Sequence, residues 1–185
     1  SFYADLLIRE LGVSADRIPK LPADWSYLFR STTDSSGKIW FNIRTSPFYQ
    51  FDPSTRQLNA IPFPIHLSPV SSNLPVPMAT DPAGHIWAVY DSVALWYDNN
   101  QHQWIRFKHQ LSEVSAHTEI ENIVVDRQAL WLATRSKGLY RVDRISGQVR
   151  QYAHKPNEAS SLSTNNLFCL FADPANPAIL WIGTF

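Results

Sequence analysis

A chain of 185 residues with 44% hydrophobic and 13% aromatic content can bury a sizeable core and is too apolar to be disordered. Its 16 Lys and Arg balance its 16 Asp and Glu, which leaves neither a basic field for nucleic acid nor an acidic tail. No apolar run reaches the length of a membrane span, the N-terminus carries no signal-peptide pattern, and Cys169, being alone, excludes an intrachain disulfide.

Residues 1–24 match no later stretch, and periodicity does not decide between strand and helix for Phe2 to Leu11. They are expected to lead into the first unit or to lend strands to a neighbouring one. Four strands then fit between Trp25 and Phe63. They begin at Tyr27 to Phe29, Ile39 to Ile43, Phe48 to Phe51 and Leu58 to Phe63, the last at an edge because it holds Pro62. Asp34-Ser35-Ser36-Gly37 reads as the tight turn between the first two. After the Pro-rich stretch Pro64 to Pro77, the turn returns as Asp81-Pro82-Ala83-Gly84. Ile86 to Tyr90, Ala94 to Tyr97 and Gln103 to Phe107 follow as strands.

A polar connection, Lys108 to Thr118, leads to a third unit with strands at Ile123 to Asp126, Leu130 to Thr134, Gly138 to Asp143 and Gln148 to Tyr152. Its turn, Asp126-Arg127-Gln128-Ala129, has no Gly. A fourth unit opens with Ser161 to Asn166, continues through Leu167 to Asp173, and reaches Leu180 to Phe185 after a longer turn.

The units are copies of one another. An aliphatic-Trp pair recurs at Ile39-Trp40, Ile86-Trp87, Leu130-Trp131 and Leu180-Trp181, with Trp spacings of 47, 44 and 50. Asp34, Asp81, Asp126 and Asp173 precede these pairs at spacings of 47, 45 and 47. Asp52, Asp98 and Asp143 follow the first three Trp residues after 12, 11 and 12 positions, and Phe63, Phe107 and Tyr152 close the units. A period in this range with four short antiparallel strands describes a propeller blade. The fold expected is all-β: an incomplete β-propeller of three four-stranded blades and half of a fourth. Residues 25–66, 67–110 and 111–155 are the whole blades, and 156–185 the half. Each Trp is expected to wedge between blades, and each Asp to fix a turn through hydrogen bonds to the backbone.

Ser161-Leu-Ser-Thr-Asn-Asn166, Asp173 and Leu180-Trp-Ile-Gly-Thr184 resemble the two-component regulator propeller repeat. The third unit supplies the matching second half, at Leu130 to Thr134 and Gly138 to Arg141, and the first two units match more loosely. Members of that family form extracytoplasmic sensor domains of histidine kinases, hybrid two-component regulators and some diguanylate cyclases. The resemblance implies a non-catalytic segment of a periplasmic receptor domain, with any kinase or cyclase outside it. Many relatives respond to glycans, although the repeat itself is scaffold.

No HExxH pair, zinc spacing, nucleophile elbow or phosphate loop occurs, so neither metal nor cofactor is expected. In a propeller, the loops joining second to third strands and blade to blade lie on one face. Here they hold Arg44, Tyr90, Asp91, Arg135, Lys137 and His154, with His66, His109 and His117 in the same class of loop. Such side chains suit a glycan, polar or anionic, or another small polar ligand through hydrogen bonds and stacking. An unpaired sheet edge at Trp181 to Phe185 is expected to favour a homodimer. Two alternatives remain. The first unit also resembles the streptogramin lyase repeat at Asp34 to Phe41 and Phe51 to Thr55, which would make the chain an enzyme. A protein-interaction scaffold of the WD type would carry a Gly-His and Trp-Asp signature, which no unit shows.

Overall fold

The computed structural model describes residues 30–42, 48–64, 75–115 and 119–184. The lead-in 1–24 and the strand start at Tyr27 to Phe29 lie outside them, as do Arg44, His66 and His117. The chain forms two compact units, Ser1–Val76 and Pro77–Phe185.

The first unit holds one antiparallel sheet in the order β1 (Arg30–Thr33), β2 (Ile39–Asn42), β3 (Phe48–Asp52) and β4 (Gln57–Ile61). Strands of Ile, Trp, Phe and Tyr suit the pleat, and Trp40, Phe48 and Phe51 are at most 1% exposed. The outer strand ends two residues earlier than its apolar pattern suggests, at Ile61 instead of Phe63. Pro62 follows Ile61 directly and has no N–H with which to extend the ladder. At the far end of β2, buried Asn42 grips the backbone of Val76, donating from Nδ2 to its carbonyl (2.8 Å) and accepting its N–H (2.9 Å).

The second unit holds two further four-stranded sheets and a two-stranded one. The second sheet runs β5 (Met78–Thr80), β6 (Ile86–Tyr90), β7 (Val93–Asp98), β8 (Gln103–Arg106). The third runs β9 (Ile120–Val125), β10 (Ala129–Thr134), β11 (Leu139–Asp143), β12 (Val149–Tyr152). The fourth pairs β13 (Leu167–Ala172) with β14 (Leu180–Thr184). Every pairing is between sequence neighbours, as in propeller blades.

Alternation assigns the faces. Along β9, Glu121, Ile123 and Val125 are buried while their neighbours are half-buried. Ile123 and Val125 join Leu130, Leu132, Tyr140 and Val142 against Trp87, Val89 and Ala94 of the second sheet. On the opposite face of the third sheet, Val124, Trp131 and Tyr152 meet Leu167, Leu170, Leu180 and Ile182 of the fourth. The third sheet is thus sandwiched, which is why its inner strand β10, Ala-Leu-Trp-Leu-Ala-Thr, is apolar at every position before Thr134.

One element was not legible as such. The polar connection after β8 contains a single turn of helix, α1 (Ser112–Ser115). Leu111 and Val114, three apart and therefore on one side of that turn, are at most 1% exposed and belong to the core beside Trp87.

Candidate functional site

The turns at one end of the sheets turn out to be a repeated side-chain device. Asp34 accepts the N–H groups of Ser36 (2.9 Å) and Lys38 (3.1 Å) on Oδ1, while its Oδ2 accepts the indole N–H of Trp40 (2.8 Å). Asp81 repeats the pattern with Ala83, His85 and Trp87 (2.9, 3.0 and 3.0 Å). Gly37 and Gly84 close both turns at φ near +83° and +89°, where a side chain would be strained. Asp126 reaches Trp131 at 2.7 Å and Asp173 reaches Trp181 at 3.1 Å. The Asp-to-Trp separation is six residues in the first two units, five in the third and eight in the fourth. The turn changes length while the carboxylate–indole bond stays.

Burial opposes ionisation of Asp34 and Asp81, yet both carboxyls sit below their ordinary value because the bonds from Trp, backbone and neighbouring side chains outweigh it. Asp173 is lowered chiefly by the Trp181 indole. Arg144, in the turn between β11 and β12, adds a clamp. Its guanidinium donates to the carbonyl of Asp126 (2.6 Å) and to Asp81 Oδ2 (3.0 Å), and lies 4.8 Å above the Trp87 ring. The third sheet thereby holds the Asp–Trp pair of the second. The later aspartates serve turns too, with Asp52, Asp98 and Asp143 accepting N–H groups two and three residues ahead.

The opposite end carries the sequence-predicted ligand residues. Tyr90 ends β6 half-buried and is paired with Val93 across a two-residue turn. Asp91 occupies that turn at φ 52° with its side chain exposed, and the Ser92 carbonyl accepts the Leu111 N–H (3.0 Å). In the third sheet, Arg135 spans Glu119 (2.9 Å) and Glu121 (2.7 Å), the latter side chain 2% exposed. Lys137 donates its backbone N–H to Thr134 Oγ1 (3.1 Å), its carbonyl accepts from Gln151 (2.7 Å), and its ammonium group is exposed.

His154 is tied into the scaffold. Its N–H donates to Asn165 Oδ1 (2.6 Å), and its ring Nδ1 lies 2.6 Å from the Leu162 carbonyl, which calls for a hydrogen on that nitrogen. Asn165 also accepts the Gly138 N–H through its own carbonyl (2.9 Å). Gly138 itself, at φ 80°, lies so close to the Tyr152 carbonyl that a Cβ would collide with it. Ser161 closes the same connection on both backbone groups of Lys155. The Ser161 to Asn166 stretch therefore fastens the end of the third sheet. It brings Arg135, Lys137 and His154 to one rim, while Tyr90 and Asp91 occupy the corresponding end of the second sheet. His109, also from a connection, packs over Gly147 and on Phe107, with Nε2 3.0 Å from the Ile145 carbonyl. Among the described residues no three His, Cys, Asp or Glu side chains converge as a metal site would require.

No protein-family model matches the chain, and no curated protein matches it. Solved structures do. Two structures of the extracellular domain of BT4673 from Bacteroides thetaiotaomicron, assigned as a one-component and as a hybrid two-component system, superpose with TM-scores of 0.64 and 0.62. Identities are 21% and 19%, over 84% and 83% of this chain and 20% of each of theirs. The extracellular domain of BT3049 from the same species, assigned as a hybrid two-component system, gives 0.58 at 17% identity, over 89% of this chain and 23% of that one. An auxiliary nutrient binding protein from Bacteroides ovatus gives 0.51 at 13% identity, over 77% of this chain and 43% of that one. This chain therefore spans about a fifth of the length of the receptor domains it matches. Its fold is the one these extracellular domains of bacterial hybrid two-component systems display, the same class of protein that its repeat resembles.

Proposed function

We propose that the chain is a ligand-sensing propeller segment of a bacterial signal-transduction receptor, extracytoplasmic and non-catalytic, and that it recognises a neutral glycan or a similar small polar ligand. The observation that carries this reading is the division of labour between the two ends of the sheets. The Asp–Trp end is saturated with internal hydrogen bonds, whereas the other end presents side chains on short, pinned loops. The fold shared with receptor extracellular domains and with a nutrient binding protein supports it.

The preference for a neutral ligand comes from charge. At the rim of the third sheet, Arg135 is already engaged by both Glu119 and Glu121, and Lys137 is exposed in the same loop. An anionic sugar would find one uncommitted cation there. A neutral one would find donors and acceptors at fixed positions together with Tyr90 as a stacking face.

A glycan screen on the receptor domain tests the proposal, with the Asp91→Asn/Lys137→Ala double variant beside it. Both side chains are exposed, and Asn tolerates the positive φ at position 91, so the variant should fold normally. Binding that falls at least about tenfold in the variant, with unchanged melting, is the expected result. Full retention of binding would move the ligand away from this end.

A further inference from the structure

The first strand of the third sheet gains an extra residue near its loop end. Asn122 pairs with Ala133 and Ile120 with Thr134, which makes Glu121 the extra residue of a β-bulge. Beyond it the ladder resumes, with the Arg135 N–H donating to the Glu119 carbonyl (3.0 Å). The fourth sheet repeats the arrangement. There Leu167 pairs with Thr184 and Cys169 with Gly183, so Phe168 is the extra residue. The backbone feature recurs while its side chain changes from an acid to an aromatic. Within a repeat, this is how a recognition position differs from the scaffold that carries it.

The bulge builds a charged cluster between two complete sheets, since Glu121 alternates with Ile123 and Val125 on the face of β9 that packs against the second sheet. The Glu121 side chain is 2% exposed and lies 2.7 Å from Arg135 Nη2, while Glu119 lies 2.9 Å from Nη1 of the same guanidinium. Burying a carboxylate is costly unless a cation meets it, so Glu121 fixes where that guanidinium sits. Outward from this anchor, the Arg135 and Glu119 side chains are 50% and 38% exposed. We propose that Arg135 and Glu119 form a two-pronged fork for adjacent hydroxyl groups of a neutral sugar, with Glu121 as the positioning residue behind them. The assignment rests on the glycan-sensing reading above and supplies its chemistry. A guanidinium has only donors and a carboxylate only acceptors. Side by side, they match one hydroxyl that accepts next to one that donates. One cation against two carboxylates leaves the cluster with surplus negative charge, so a sugar bearing its own carboxylate is disfavoured there.

Titration calorimetry of the receptor domain with neutral hexose oligosaccharides, and with uronic-acid oligosaccharides of the same linkages, tests the fork. The neutral series should bind, and the uronate series at least about tenfold more weakly. Glu119→Gln removes the charge but keeps the shape of a partly exposed side chain, so melting should be unchanged. The variant should weaken neutral binding about tenfold and shrink the neutral-over-uronate preference by at least as much. A merely structural Glu119 would move melting and leave the ratio of the two affinities where it was. Wild-type protein that binds uronates as tightly as neutral sugars would overturn the proposal. So would a Glu119→Gln variant whose preference is unchanged. In both cases the sensing reading survives, because a sugar still binds. If neither series binds, the glycan reading falls and the fork falls with it.

Discussion

The second and fourth sheets contain the same pair in two environments. Asp81 holds Trp87 at 3.0 Å and Asp173 holds Trp181 at 3.1 Å, so the local bond is unchanged. Trp87 is 2% exposed, beneath the third sheet and the Arg144 guanidinium, whereas Trp181 is 58% exposed. The turn alone therefore sets the geometry of the bond, and the covering sheet sets what the pair contributes to stability. A carboxylate–indole bond in water replaces bonds to water and nets little. Beneath a neighbouring sheet, the same groups have no alternative partner.

Substitutions at low protein concentration sharpen this contrast. Trp87→Ala should cost about 4 kcal/mol in a urea melt, because it empties a packed site and strands Asp81 and Arg144. Trp181→Ala should cost less than ~1 kcal/mol, as expected for a largely exposed side chain. Asp81→Asn comes next, at about 2–3 kcal/mol, since an amide nitrogen replaces the acceptor of three donors, Trp87, His85 and Arg144. Asp173→Asn should be lost in the error of the same experiment.

Gly138→Ala should cost about 2 kcal/mol, because the added Cβ meets the Tyr152 carbonyl as well as a positive φ. Gly37→Ala, at a similar φ with nothing within 4 Å, should cost nearer 1 kcal/mol. Acid gives a smaller and more gradual effect. Asp34 and Asp81 are held below the ordinary carboxylate value in the folded chain, so the unfolded chain binds protons first as pH falls. Their contribution is complete above about pH 4 and is lost below it, as the folded carboxyls protonate. Urea midpoints should therefore hold down to about pH 4 and fall below it, less steeply in Asp81→Asn.

The sequence showed the blades but separated their parts. Asp34, Asp81, Asp126 and Asp173 were legible as turn residues, and Trp40, Trp87 and Trp131 as packing residues, because both recur in register. That each Trp also bonds its own Asp was hidden. Separations of five, six and eight residues share no helical or strand period, and a turn absorbs the difference. Arg144 offered no signal at all, since a single Arg in a turn gains its role from Asp81, 63 residues away. Leu111 and Val114 did offer one, an apolar pair three apart within a polar connection.

At the end opposite the Asp–Trp turns, the loops could be placed from topology alone, whereas the internal bonds of Arg135 and His154 depended on partners that no motif marks. Glu121 is read as one more polar strand residue until the fold buries it. Those bonds sharpen the choice of residues for a binding test. Asp91 and Lys137 can be changed without dismantling the rim, but Arg135 cannot.

Hydrogen exchange of the tryptophan indole N–H groups, followed by NMR, tests the central claim most directly. The account predicts slow exchange at Trp40 and Trp87, intermediate exchange at half-buried Trp131, and fast exchange at Trp181, in the order of their burial. Equal protection at all four would contradict it, because the carboxylate bond, and not burial, would then be holding each indole.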